Sequence, residues 1–500
     1  MTLRRHRAHV LFGTVLLSSA SITKLALQFV LVPVLARILG PRIFGEMGIA
    51  MSIVLLANML SDGGMGAALV RESNPDRELK STIFWLSLLI GSGLAAMICI
   101  VAWPVSLLFA EPELFGLLCA LSPILILSAM LSVSNSEIIR VQRFDYFAAS
   151  DIGCAVISAA VGLGLAFSGY GIWSLAGQQL TLWITKAIWV SAVARFRPRF
   201  VLRMKLARPL FRFSANNLAA NVADFTGRAA PIIIVSGILG IPAAGQYSMG
   251  YQLTNVVNTV VANPVNVATF SAIAGAANRH AVALFVTKTL RVLMIVVAPL
   301  CAGLMLTADL AAPLLLGAKW VETAPVLVAL TPGSLLLCLY GFSGSAILGR
   351  GRSSRVFKLT LLTSIAMTAG TAIGAKWGVH WAAAGFSVGA TLMAPLYAWS
   401  LARAMQMRLA ELLSSALTGM IAVTAMSVAV LLARSQVTAL APLFQLLIAV
   451  LVGVVTFVAA IWLIDGDQIK SDIASLRRAP GFALGSGGIV TDAGATDVQI

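Results

Sequence analysis

Charge is scarce in this sequence. Only 11% of its 500 residues are Asp, Glu, Lys or Arg, against about 25% in an ordinary soluble chain. So few charges cannot cover the surface of a water-soluble protein of this size, and the 59% hydrophobic content points the same way. Short alternating strands of the barrel type are missing too, so the backbone must satisfy its hydrogen bonds within helices. Histidine is rare: His6, His9, His280 and His380 are scattered and form neither a metal pattern nor a triad. The five cysteines, Cys99, Cys119, Cys154, Cys301 and Cys338, fall in apolar segments at unrelated spacings and show no disulfide framework or metal-ligand pair. No Gly-Lys-Ser or Gly-Lys-Thr occurs, so no Walker A loop supplies energy. The sequence therefore calls for no metal, no cofactor and no catalytic set.

Long apolar runs take the place of these features. Stretches of 18 or more residues recur from end to end, as in Val10–Leu35 and Ala441–Ile464, and each reads as a membrane-spanning helix. The N-terminal Arg4, Arg5 and Arg7 before an apolar run resemble the start of a signal peptide, and Ser18-Ser19-Ala20 a cleavage region. The run continues to Leu35, too long for a signal peptide, so a retained first span is the reading taken. The expectation is an all-α integral membrane protein of about fourteen transmembrane helices, at 10–35, 47–69, 81–108, 114–135, 147–168, 170–194, 209–238, 243–272, 284–307, 323–347, 356–375, 379–402, 409–432 and 441–464. The formal charge of +16 would suggest nucleic acid in a soluble protein, but here the basic residues sit in alternate loops, which is the positive-inside pattern. With both termini in the cytoplasm, inside loops hold clusters such as Arg195–Arg212, with seven basic residues, while outside loops hold only Arg37, Arg42, Lys319, Lys376 and Arg434. The Gly/Ala/Ser-rich sequence after Ile464 reads as a disordered cytoplasmic tail.

The two halves repeat. Ile38-Leu39-Gly40, four residues, then Gly45-Glu46 matches Ile238-Leu239-Gly240, four residues, then Gly245-Gln246, and Asn58 falls on Asn258 at the same offset of 200. Spans one and two thus look like a copy of spans seven and eight. An even displacement means a parallel repeat about an axis along the membrane normal. Both leading spans carry a polar stripe within an arc of about 120°. In span one it is Thr14, Ser18, Ser21, Lys24 and Gln28; in span seven it is Ser214, Asn217, Asn221, Asp224 and Arg228. Polar stripes avoid lipid, so the expected architecture is two parallel six-helix lobes, residues 1–195 and 196–404, around a central cavity. Two extra C-terminal helices at 405–464 and the tail at 465–500 complete it.

The substrate cavity is accordingly assigned to Lys24, Gln28, Ser21, Asn217, Asn221, Asp224 and Arg228. Lys24 has two compatible readings: a cavity cation that meets a diphosphate or acidic sugar, and a partner for Asp224 across the lobes. Asp224 and Arg228, four residues apart, also suit mutual neutralisation. Asp62-Gly63-Gly64 interrupts span two and is the candidate hinge or coupling site. Lys186, Arg291 and Asp151 are lesser candidates near span ends. The Arg195–Arg212 loop serves as a topology signal or as a captor of anionic head groups.

Several segments together carry a family resemblance: Ala36-Arg37-Ile38-Leu39-Gly40-Pro41-Arg42-Ile43-Phe44-Gly45; Ser61-Asp62-Gly63-Gly64 through Arg71; Val141-Gln142-Arg143-Phe144-Asp145-Tyr146; Ser168-Gly169-Tyr170-Gly171-Ile172-Trp173-Ser174-Leu175; and Leu314-Leu315-Leu316-Gly317-Ala318-Lys319-Trp320. The chain resembles the Wzx-type polysaccharide transporters of the multidrug/oligosaccharidyl-lipid/polysaccharide flippase superfamily. The resemblance implies a flippase that moves an undecaprenyl-diphosphate-linked oligosaccharide from the inner to the outer leaflet for O-antigen, capsule or exopolysaccharide assembly. It implies as partners the lipid-linked oligosaccharide, anionic membrane lipids and polysaccharide polymerase machinery. Family members often carry a bulky residue between the Asp and the Gly, where this chain has Gly63. Competing readings are a cation-coupled small-molecule exporter, a flippase of lipid-linked peptidoglycan precursors, and a membrane polymerase or ligase. The short outside loops argue against the last.

Overall fold

The computed structural model describes residues 23–24, 26–62, 69, 76–140, 144–194, 197–201, 203, 222, 225–274, 276 and 278–478. Among these residues the chain is helical, without a strand. The helices are α1 (Ala26–Leu39), α2 (Pro41–Asp62), α3 (Arg77–Leu108), α4 (Pro112–Leu121), α5 (Pro123–Arg140), α6 (Phe144–Phe167), α7 (Ile172–Ala194), α8 (Phe225–Leu239) and α9 (Ile241–Val257). They continue with α10 (Asn263–Ala274), α11 (Arg279–Leu306), α12 (Ala308–Leu316), α13 (Thr323–Gly349), α14 (Ser353–Gly374), α15 (Val379–Met405), α16 (Leu409–Gln436) and α17 (Pro442–Arg478).

Eleven helices among the described residues are long and apolar enough to cross a membrane. Three more helices occupy expected spans. Two, Ala26–Leu39 and Phe225–Leu239, are shorter apolar helices. The third, Ile172–Ala194, runs 23 residues but carries Gln178, Gln179 and Lys186. One expectation needs correction. Residues 465–478, expected in a disordered tail, continue helix α17 to Arg478. Hydropathy ends where lipid would end, but a helix does not, and this polar stretch has Gly466 as its only breaker. The eighth span forms one apolar helical stretch, Ile241–Ala274, with a wide turn inside it. Asn258–Ala262 form a π-turn between α9 and α10, and the N–H of Asn263 reaches the carbonyl of Asn258 five residues back. Pro264 follows at once. Its missing N–H already breaks the α ladder, and the wide turn absorbs the break.

Buried apolar side chains form two large cores. One runs from Leu31 to Ala176 with Ile241; the other runs from Ile232 to Leu412. Helices α2 and α9 join them. Gly40 and Gly240, equivalent in the repeat, both adopt left-handed φ, +79° and +86°, and both donate N–H to the carbonyl four residues back. Only glycine takes that turn without strain, which explains the shared Ile-Leu-Gly. Four residues into each following helix the backbones touch. A Cβ on Gly45 would lie 2.2 Å from the Ile241 carbonyl oxygen, and one on Gly245 would lie 1.9 Å from that of Pro41. Gly48 faces Ser248 in the same way, at 3.4 Å to its Oγ. Each residue thus meets its own copy 200 positions on, twice in the same direction. That is the contact pattern of parallel helices related by a two-fold axis along their length, as the repeat demands.

The cores are braced internally. Lys186 of α7 donates to Asp151 of α6 at 2.7 Å, so two residues read separately in the sequence form one ion pair. Removing one partner strands the other in a poorly solvated place. Lys186→Met is expected to destabilise the protein by about 2–3 kcal/mol, a discount on the 3–5 kcal/mol of a fully buried pair. Thermal unfolding in detergent measures it, and Lys186→Met/Asp151→Leu should recover part of the loss.

The chain at 197–203 is strapped to the start of α3. Arg199 N–H donates to Ser81 Oγ at 3.1 Å, Trp85 Nε1 donates to the Arg199 carbonyl at 2.8 Å, and Thr82 Oγ1 donates to the Val201 carbonyl at 3.3 Å. Phe200 stacks on Trp85 with centroids 4.5 Å apart, and Arg203 pairs with Glu78 at 2.7 Å.

Candidate functional site

At the Gly45/Gly245 crossing the two cores are closed onto one another. Trp320, fully buried, donates its Nε1–H to the Ala36 carbonyl at 2.9 Å and sets its ring edge-on against Phe44 at 5.4 Å. Arg37, at the end of α1, donates to the carbonyls of Leu314 and Leu315 at the C-terminal end of α12. Those carbonyls lack intrahelical partners, and the helix dipole favours a cation beside them. Equivalent positions brace the crossing helices on each side. Glu46 takes Arg42, which reaches on to Glu111 at 2.7 Å, while Gln246 donates to the Lys319 carbonyl and accepts from Thr323.

Beneath this closure lies a cavity of about 410 Å³. It is lined by Lys24, just ahead of α1, and by Gln28 of α1. Helix α7 adds Gln178 and Gln179, α9 adds Ser248 and Gln252, and α6 adds Ser158. The cavity is therefore shared between the two cores. It offers one ammonium, four amides and two hydroxyls above apolar walls that include Leu31, Met47 and Met51. No acidic residue appears among its described lining. Sequence reasoning found Lys24 and Gln28 but missed Gln178, Gln179 and Gln252. The adjacent glutamines in an apolar span were the available signal.

Arg228 lines a second cavity, of about 270 Å³, inside the second core. The sequence reading set Lys24 and Arg228 on facing stripes; the structure gives them separate cavities with no lining residue in common. The cause is local. A Cβ on Gly227 would lie 2.1 Å from Ser364 Oγ, so α8 presses on α14 and holds Arg228 toward that core. Asn258, Asn263 and Asn266 also line this cavity, with Tyr340 and Tyr397 stacked nearly parallel at 4.0 Å. Asn258 was visible in the sequence only as the partner of Asn58. Ser21, Gly63, Gly64, Asn217, Asn221 and Asp224 lie outside the described residues. Asp62 is the last residue of α2.

Comparison with known proteins gives a consistent result. A family described as polysaccharide biosynthesis protein matches residues 34–325. The succinoglycan biosynthesis transport protein ExoT of Rhizobium meliloti is 30% identical over 354 residues, covering 70% of this chain and 71% of that protein. The teichuronic acid biosynthesis protein TuaB of Bacillus subtilis is 25% identical, covering 74% and 79%. Among solved structures, the lipid II flippase MurJ in an inward closed conformation superposes with a TM-score of 0.73 at 16% identity, covering 91% of this chain and all of that one, a likeness of fold.

Proposed function

The chain belongs to the polysaccharide biosynthesis protein family, the Wzx-type flippases, and on that premise we propose how it moves a lipid-linked oligosaccharide across the membrane. The substrate is a polyprenyl-diphosphate-linked saccharide bound for a cell-surface polysaccharide. The observation that carries this reading is the cavity shared by the two cores. One cation stands among four amides, with no acidic residue in its described lining, beneath an end sealed by the symmetric crossing of α2 and α9. A small-cation exporter would prefer acids there; an anionic lipid head prefers Lys24. The amides satisfy sugar hydroxyls, which donate and accept at once. Opening the sealed end while closing the other exposes the cavity to each side in turn.

Depletion of the protein in its host tests this. Lipid-linked saccharide should accumulate in the inner leaflet while surface polymer falls. An unchanged distribution of the lipid between leaflets would refute the reading.

Direction depends on topology, for which the basic loops are the support: termini in the cytoplasm of an inner membrane, with the Gly45/Gly245 end outside. Reporter fusions after Gly40, Pro112, Gly240 and Lys376 are expected to report outside, and fusions after Arg77, Arg203 and Arg352 inside. An outside signal at Arg203 would break the assignment.

A further inference from the structure

The proposed reading uses the Lys24 cavity and leaves the second cavity without a task. We propose that this second cavity is a saccharide subsite, which takes one neutral sugar ring of the lipid-linked substrate while the diphosphate stays with Lys24. The inference rests on the flippase reading and adds a site to it.

The π-turn is the first argument. In a straight α-helix, at about 100° per residue, Asn258 and Asn263 would point about 140° apart. The bond from Asn263 N–H back to the Asn258 carbonyl winds the chain wider and turns both residues toward the same cavity. Asn266, three residues on, joins them. Its Oδ1 is buried and accepts no hydrogen bond within the protein, which is costly for an amide oxygen.

The chemistry of the lining selects the ligand. Each amide sets a donor and an acceptor in one plane, the pattern that neighbouring hydroxyls of a sugar ring complement. Arg228 carries five N–H donors, so a bond to another protein group still leaves some for a ligand. No carboxylate appears among the described lining residues, so a metal cation has little to hold it. Space comes from absent side chains. A Cβ on Gly344 would meet only Val356 Cγ1, at 3.7 Å. At about 270 Å³ the cavity is smaller than the roughly 300–1,000 Å³ typical of drug-sized ligands, which limits it to a single ring.

Two reporter cysteines in an otherwise cysteine-free chain test the assignment. Met51→Cys reports on the Lys24 cavity and Ser345→Cys on the second. The full-length protein in nanodiscs is treated with N-ethylmaleimide, alone, with undecaprenyl diphosphate, or with the lipid-linked oligosaccharide fraction of the host. Saturating lipid of either kind is expected to slow modification of Met51→Cys about tenfold, and only the saccharide-bearing lipid should slow Ser345→Cys. If Met51→Cys is protected and Ser345→Cys is not, the subsite is overturned and the flippase reading stands. Equal protection of Ser345→Cys by undecaprenyl diphosphate overturns the sugar assignment. Failure of both lipids at both positions removes the flippase reading itself. Gly344→Leu, which fills the second cavity, should abolish protection at Ser345→Cys while leaving it at Met51→Cys; protection of Ser345→Cys that survives the filling would also overturn the subsite.

Discussion

Gly245→Val holds the two cores apart at their crossing and stops transport. Its Cβ would lie 1.9 Å from the Pro41 carbonyl oxygen and 2.7 Å from the carbonyl carbon. Both are backbone atoms on a helix, so no rotamer change relieves the overlap, and α2 and α9 must separate. Overpacking costs about 1–3 kcal/mol, sometimes more. At about 1.4 kcal/mol per factor of ten, the sealed state loses up to about a hundredfold in population. Surface polymer should fall accordingly at matched protein levels. Ala36, fully buried at the closure, supplies a direct readout: in an Ala36→Cys background, Gly245→Val should let a membrane-impermeant maleimide reach the cysteine. Gly93→Ala is the control, since a Cβ there meets nothing within 4 Å. Normal export by Gly245→Val would remove this crossing from the transport cycle.

Lys24→Ala lowers export about 10–100-fold, and Lys24→Glu lowers it further. A hydrogen bond to a charged group contributes about 1.5–3 kcal/mol. A bond made only while the diphosphate crosses a low-dielectric region appears in full in the rate. Lys24→Arg keeps the charge and should keep most of the activity. A second substitution separates substrate contact from charge balance with Asp224. If Lys24 only neutralised Asp224, Lys24→Ala/Asp224→Ala would restore export. Substrate contact instead predicts that the double variant stays defective, with lipid-linked saccharide accumulating in the membrane.

The axis of the fold was legible in the sequence because both copies preserve its geometry: Gly40 and Gly240 make the same turn, and Gly45 and Gly245 need the same absence of a side chain. The cavities were legible only in part. Periodicity tells which residues share a face of α1 or α8, but not where that face points. Packing sets the rotation, and for α8 the deciding contact is Gly227 on Ser364, between residues far apart in the chain. Arg37 read as one more outside charge, because its partners at Leu314 and Leu315 lie some 277 residues away and are backbone carbonyls, which composition cannot single out. The π-turn before Pro264 was hidden for a similar reason. Proline announces a break in the ladder but does not say how the helix absorbs it.

The strap at 197–203 bears on how the protein is made. Its side-chain partners Glu78, Ser81, Thr82 and Trp85 all belong to α3, which is synthesised more than a hundred residues earlier. The strap therefore has its full docking surface as soon as it leaves the ribosome, before α8 exists. Synthesis proceeds at about 5–20 residues per second and domains tend to fold in the order in which they emerge. The first half of the chain is thus fastened at the start of α3 while the second half is still being translated, and the nascent second half starts from a fixed point when it inserts beside the first.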